Sequence, residues 1–284
     1  MKYVAINQHE ITSQTISIVM TSHERSQQVY FTLDTIRKCE YKDIQVILVD
    51  DSTIDPIDIN RLCEYEFNIE LIRVYSAMKC WVNPCINYNI GFEFIRGGKV
   101  ILQNSEVCYI GDILSYVNRI TLDNKYYVFD VKASRDHNTN EIIYKKQLST
   151  AIYQEDIWQT WYQHHEHHNM KYHFLTAFTR ETFDNIHGFS YDYAFGSAYD
   201  DNDLLLRIEK IQIVNVPNEV FQIGGIHLYH GYNMHDRRAY ESPSNQTLFE
   251  KKKKYMELYG TYVELSDITQ PDLLMNQYQS LCQI

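Results

Sequence analysis

A chain of 284 residues with 44% apolar content can bury one large core plus an appendage, so one domain with extensions is expected rather than two independent domains. A formal net charge of -11 makes nucleic acid or an anionic membrane a poor default partner, because polyphosphate binding relies on clustered Lys and Arg. Six cysteines without CxxC spacing argue against a zinc knuckle or a disulfide framework, and the first apolar run, Ile16 to Met20, is too short for a signal peptide or a transmembrane segment; a soluble, cytoplasmic protein is expected.

Thr15 to Met20 reads as a buried strand, followed by a polar loop, Thr21 to Arg25, and an amphipathic helix in which Val29, Leu33 and Ile36 recur at helical spacing. A second strand, Ile44 to Val49, stops at the turn-forming cluster Asp50-Asp51-Ser52-Thr53. Leu71 to Tyr75 reads as a third strand and Asn83 to Phe94 as a helix. Val100 to Leu102 reads as a fourth strand, running into Gln103-Asn104-Ser105-Glu106. Alternation of strand and helix with short links predicts a mostly parallel sheet wound by right-handed crossovers. In such sheets ligands bind outside the carboxyl ends of the strands, where these polar clusters fall.

The second half opens with a loop-rich stretch, Arg135 to Glu141, then a predicted helix from Ile152 to Tyr162 and a histidine-dense turn. Phe174 to Thr179 reads as a strand, Glu181 to Ile186 as a helix and Asp200 to Ile211 as an amphipathic helix. Ile211 to Val216 and Glu219 to Gln222 read as strands, leading to Gly224-Gly-Ile-His-Leu-Tyr-His230. The basic run Lys251 to Lys254 reads as the solvated face of a C-terminal helix.

Each acidic site has a structural explanation when taken alone. Asp50 and Asp51 can cap the next turn, Glu106 can be an ordinary loop acid, and Asp200, Asp201 and Asp203 suit the start of a helix, where the macrodipole favours negative charge.

Their order, however, resembles the family-2-like GT-A glycosyltransferases over about residues 13 to 232. Val19-Met-Thr-Ser-His-Glu-Arg25 looks like that family's first strand and nucleoside-holding loop, Val49-Asp-Asp-Ser-Thr53 like its second-strand aspartate motif, and Asn83-Pro-Cys-Ile-Asn-Tyr-Asn-Ile-Gly91 like the helix before its metal motif. The usual Asp-x-Asp is replaced by Asn104-Ser105-Glu106. Tyr199-Asp-Asp-Asn-Asp-Leu204, following Ile186-His-Gly-Phe189, resembles the Glu-Asp-x-Asp-Leu element of inverting enzymes, and His227-Leu-Tyr-His230 resembles the closing metal motif.

The resemblance implies an α/β GT-A fold with a Rossmann-like, mixed but mostly parallel sheet flanked by helices. It implies a catalytic domain over 1–236, with a nucleotide-binding half at about 13–115 and an acceptor half at about 116–236, and a helical extension over 237–284. It further implies an inverting transfer from a nucleoside-diphosphate sugar, UDP-linked by preference, to a glycan or glycoprotein acceptor. Asp201 would act as general base and Asp200 would bind hydroxyls. Thr21, His23, Arg25, Asp51, Asn89 and Asn104 would line the donor. A divalent ion, Mn²⁺ or Mg²⁺, would sit at Glu106 with His227 or His230, with His227 preferred. Arg237 and Arg238, in the polar stretch that follows, suit equally a clamp on the departing diphosphate or solvated loop positions. Trp161, Tyr162 and His173, whose flat rings suit carbohydrate, read as acceptor contacts or equally as core or hinge residues.

His164-His-Glu-His-His168 suggests a zinc protease, but HExxH starting at His165 needs a histidine at position 169, which is Asn169. The cluster reads as a polar loop. A nucleotidyltransferase usually carries a glycine-rich phosphate loop near its N-terminus, and residues 15 to 30 contain no glycine. A catalytically silent nucleotide-sugar or carbohydrate-binding module is the remaining alternative, and the Asp200–Asp201 pair speaks against it.

Overall fold

The computed structural model describes residues 1–75, 77, 79–145, 158–208, 211–231 and 244–264. In chain order its elements begin with β1 (Lys2–Ile6), β2 (Ile16–Ser22), α1 (Ser26–Lys38), β3 (Ile44–Asp50), α2 (Ile59–Leu62) and β4 (Asn68–Arg73). These are followed by α3 (Cys85–Phe92), β5 (Lys99–Gln103), β6 (Val107–Ile110), α4 (Ile113–Arg119), β7 (Lys125–Phe129), β8 (Val131–Ser134) and α5 (His137–Lys145). The last are β9 (Trp158–Gln163), β10 (Leu175–Thr179), α6 (Arg180–Ile186), α7 (Asp200–Arg207), β11 (Gln212–Val216), α8 (Asn218–Phe221), β12 (Gly224–His227) and α9 (Gln246–Tyr259).

An eight-stranded sheet runs in the order β1-β4-β3-β2-β5-β10-β7-β11. Strands β4, β3, β2 and β5 are mutually parallel, β10 enters antiparallel between β5 and β7, and β11 pairs parallel with β7. Helices on both faces explain why every residue of β3 is buried and why Val46 to Val49 are apolar in succession. Successive side chains point to opposite faces: Ile18, Met20, Val46 and Leu48 enter one core, while Val19, Ile47 and Val49 enter the other. Helix α3 lies directly on β2 and β3 because Gly91 has no side chain; a Cβ there would come within 2.9 Å of Val19 Cγ1.

A second sheet, β6-β12-β8-β9, stands beside the first. β12 runs antiparallel to β6 with His227 opposite Val107, and the Leu228 N–H donates to the Glu106 carbonyl at 2.9 Å. This register brings the residue before β6 alongside the end of β12, 121 positions later in the chain.

Several sequence expectations are corrected. The described part of 152–162 is strand β9, not helix, while 152–157 lie outside the described residues. The expected loop at 135–141 contains the start of α5, capped by Asp136, which accepts from the Thr139 N–H and hydroxyl at 2.7 and 2.9 Å. Glu219 to Gln222 belongs to the short helix α8 and its end rather than to a strand, and α7 stops at Arg207. Lys252 is buried rather than solvated: it sits 2.5 Å from Asp192 and 3.3 Å from Glu264, with Tyr262 and Ser190 hydroxyls at 2.9 Å. Among the described residues no helix is long and apolar enough to cross a membrane.

Candidate active site

Asp50 and Asp51 separate into two roles at the end of β3. Asp50 is fully buried and accepts from the backbone N–H groups of Ser52 and Ile57 at 3.1 and 3.0 Å, which makes it a turn-builder. Asp51 points the other way. Its Oδ1 meets His23 Nδ1 at 2.8 Å, and its Oδ2 meets Asn87 Nδ2 and Lys79 Nζ, each at 2.7 Å. Burial would raise its pKa, but the hydrogen bond from His23 and the Lys79 charge bring it down to about 2, so it is a permanent carboxylate near neutral pH.

Two residues beyond His23, Arg25 reaches Glu106. Its Nη1 lies 2.5 Å from Glu106 Oε1, the same oxygen that faces His227 Nε2 at 3.3 Å and His230 Nε2 at 3.6 Å. The second oxygen of Glu106 accepts from the Ser105 hydroxyl at 3.1 Å. Burial opposes ionisation of Glu106, yet Arg25 and His227 hold it well below the usual carboxylate range. His230 donates Nδ1–H to the Gly231 carbonyl at 2.8 Å, which leaves its Nε2 lone pair facing Glu106. Burial and the Arg25 charge lower the His230 pKa to about 4, so its imidazole is neutral at pH 7, as metal ligation requires.

One atom in this group lacks a partner. His227 Nε2 is buried and makes no well-aligned hydrogen bond, despite its 3.3 Å approach to Glu106. A carboxylate oxygen and two imidazole nitrogens, all within 4.8 Å of one another and one of them orphaned, fit a divalent ion. Both histidines, not His227 alone, face the carboxylate.

The third cluster lies at the start of α7. Ala198 and Tyr199 both have left-handed backbone, at φ 60° and 66°, which for residues other than glycine costs of order 1 kcal/mol each. Asn245, at the head of α9, holds this strained turn: its Nδ2 donates to the carbonyls of Tyr193 and Ala198 at 3.1 and 3.0 Å, and its N–H donates to the Ser197 carbonyl at 3.1 Å. The turn aims Asp200 inward, where Asn83 Nδ2 donates to it at 3.0 Å. Burial and the Asp201 charge raise its pKa to about 6. Asp201 is more exposed and accepts a short hydrogen bond from His173 Nδ1. Burial would lower the His173 pKa, but the Asp201 carboxylate raises it above the ordinary imidazole value.

Aromatic rings connect the clusters. Tyr162 stacks on His227 with centroids 3.9 Å apart and packs on Phe174 at 4.1 Å. Tyr88 donates to the Gln103 carbonyl and to Asn104 Oδ1 at 3.0 and 3.4 Å, sees the Thr21 hydroxyl, and meets the His173 ring edge-on at 4.7 Å. Glu106, Asp201, Asn104, Thr21, Tyr162 and His173 are thus contiguous. Trp161 points elsewhere, packing on His164 at 4.2 Å under the Lys132 ammonium. Asn89 is also apart: its amide donates to the Phe189 carbonyl at 2.7 Å and accepts from the Phe189 N–H at 2.8 Å, so both ends are occupied. Arg237 and Arg238 lie outside the described residues.

The histidine-rich turn has metal-like spacing in Asp130, His164, His165 and Glu219. Its atoms are already engaged. His164 Nδ1 accepts from the N–H groups of Glu166 and His167 at 3.0 and 3.1 Å, which places its proton on Nε2, toward Glu219 at 3.2 Å. His165 donates to Asp130 at 3.0 Å. This is a polar turn stitched to β8 and α8, as its sequence suggests.

Sequence reasoning passed over Lys79, Asn83, Asn87 and Ser105. Asn83 and Asn87 stand in the quoted Asn83–Gly91 stretch, but nothing in their spacing marks which of its three asparagines face the acids.

The sequence matches no protein-family model and no curated protein. Among solved structures, S. aureus TarS aligns over 76% of this chain and 37% of its own, with a TM-score of 0.52 and 11% identity. Residues 1–349 of TarS in complex with UDP align over 76% and 60%, with a TM-score of 0.52 and 12% identity. The chain therefore spans less than two thirds of the proteins it resembles. At this identity the likeness establishes the fold, and the fold is GT-A.

Proposed function

We propose that the chain is an inverting glycosyltransferase of the family-2 kind, moving a sugar from a nucleoside-diphosphate sugar to a hydroxyl of a glycan or glycoprotein. The observation that carries this reading is that Glu106 and Asp201 are linked through Asn104, Tyr88 and His173, while Asp51 and Glu106 each follow the carboxyl end of a parallel strand, β3 and β5. Asp51, an obligate acceptor, suits a uracil ring N–H, and the UDP complex of TarS supports uridine as the nucleoside. Glu106, His227 and His230 would hold a divalent ion, with two imidazoles favouring Mn²⁺ over Mg²⁺. That ion would offset the negative charge of the leaving nucleoside diphosphate.

Asp201 takes the proton of the attacking hydroxyl, and His173 fixes the carboxylate's rotamer. Asp200, held by Asn83, receives an acceptor hydroxyl. Asn104 offers an amide to sugar or ribose hydroxyls, and Tyr162 bounds the site through its stack on His227. The catalytic domain covers 1–236 in a cytoplasmic protein, with the segment from 237 as an extension that supports the base.

The test is a panel of nucleotide sugars with Mn²⁺, read first by thermal stabilisation and then by product. Release of UDP and sugar supports the transferase. Pyrophosphate release would instead indicate a nucleotidyltransferase, and stabilisation without turnover a silent binding module.

A further inference from the structure

Arg25 stands where two unsatisfied groups meet. Its Nη1 grips Glu106 Oε1 at 2.5 Å, and that oxygen is the one both histidine Nε2 atoms face, at 3.3 and 3.6 Å. The other oxygen is engaged by Ser105 at 3.1 Å. An arriving metal ion would therefore meet an oxygen already held by a cation. Yet Arg25 is itself incompletely satisfied, because its Nε is buried with no hydrogen-bond partner, as is His227 Nε2. One orphan is a cationic donor seeking an anion. The other is an imidazole nitrogen suited to a cation. The pair is complementary to a metal ion carrying an anionic ligand, and to neither component alone: the ion by itself would sit against the guanidinium with only one carboxylate to balance both.

We propose that Arg25 is an exchangeable counter-ion: it neutralises Glu106 in the free protein and passes to a phosphate oxygen of the nucleoside diphosphate when the ion takes Glu106, so that metal and nucleotide bind as a coupled pair. A guanidinium suits this exchange because its fork of donors fits carboxylate and phosphate alike. Linkage makes the coupling reciprocal: whatever factor UDP adds to metal affinity, the metal adds to UDP affinity. The inference rests on the donor site proposed above.

Free Mn²⁺ measured by electron paramagnetic resonance during titration of the full chain, with and without UDP, reads the coupling directly and needs no turnover. The wild-type chain is expected to bind Mn²⁺ roughly tenfold or more tightly with UDP present, within the usual range of coupling energies. Arg25→Gln is expected to bind Mn²⁺ more tightly than wild type without nucleotide and to lose most of the UDP enhancement. Arg25→Lys, which keeps the charge but lacks the fork, is expected to fold normally and to show a clearly reduced enhancement. Wild-type enhancement in either variant overturns the proposal. If UDP binds and tightens Mn²⁺ binding equally in all three proteins, the donor site stands and the exchange by Arg25 falls; if UDP does not bind wild type at all, the donor site itself falls and the exchange with it.

Discussion

The carboxylate of Asp201 is tied to His173 Nδ1, and the His173 ring in turn stands edge-on to Tyr88, whose hydroxyl touches Asn104 two residues before Glu106. The acid proposed as base and the acid proposed as metal ligand are thus positioned by one aromatic relay rather than by independent loops.

Replacing Asp201 with Asn keeps the shape of the side chain and removes its basicity. Transfer is expected to fall by about 10²–10⁴-fold, the usual worth of a general base, with UDP-sugar affinity nearly unchanged. Steady-state kinetics beside donor titration check this, and wild-type turnover in the variant would remove Asp201 from the mechanism.

Asp200 gives a pH signature. Its pKa rises from 3.8 unfolded to about 6 folded, so the native state holds the extra proton between those values. Its contribution to stability is complete below about pH 4 and is lost as pH climbs through 6, a swing of about 3 kcal/mol at 1.36 kcal/mol per unit. Asp200→Asn has no proton to lose. Urea denaturation should therefore show the variant gaining on wild type by about that amount between pH 4 and pH 7; a gap independent of pH would contradict the burial argument.

Chelation and Glu106→Ala should have the same effect. With Mn²⁺ and UDP at about 100 times its dissociation constant, binding adds about 2.7 kcal/mol of stability. EDTA, or loss of the Glu106 carboxylate, should remove the metal-dependent part of that gain, and His227→Ala and His230→Ala should each diminish it. Equal melting shifts in Glu106→Ala and wild type would exclude this carboxylate from the ion's coordination.

Lys252 ties the C-terminal helix to Ser190 and Asp192, with Glu264 of its own segment beside it. Lys252→Met is expected to cost about 3–5 kcal/mol, because it strips the cation from carboxylates withdrawn from water. Adding Asp192→Asn should recover part of the loss. Chemical denaturation of the double-mutant cycle measures the coupling, which would vanish if the two side chains acted independently.

Asn245→Ala removes the clamp on the strained turn at Ala198 and Tyr199. We expect turnover to fall about tenfold with donor affinity preserved, since only the approach to Asp200 and Asp201 changes. A variant with unaltered turnover would show that the turn holds its shape unaided.

Strands β2 and β3 are the most legible part of the chain. β2 and β3 announce themselves by runs of successive apolar residues, Ile18 to Met20 and Val46 to Val49, because helices cover both faces, and Asp50 and Asp51 fall at the end of β3. Strand β9 was read as helix because its residues, Trp158 to Gln163, carry no clean alternation, and α8 is too short for a helical period to register. The buried state of Lys252 was invisible for a different reason: its partner Asp192 is 60 residues away in sequence, and a run of four lysines looks solvated until a long-range carboxylate is placed beside one of them. The same applies to Asp51, whose neighbour Lys79 comes from a stretch with no periodicity to anchor it.

The two-way amide bracket between Asn89 and Phe189 has a wider meaning. It fastens α3, which rests on β2 and β3, to the segment leading into α7, and the left-handed Gly188 beside it leaves no room for a side chain, since a Cβ would approach Asn89 Oδ1 to 2.7 Å. The residues proposed to hold the donor and the residue proposed as base are consequently one casting, with their spacing set when the chain folds.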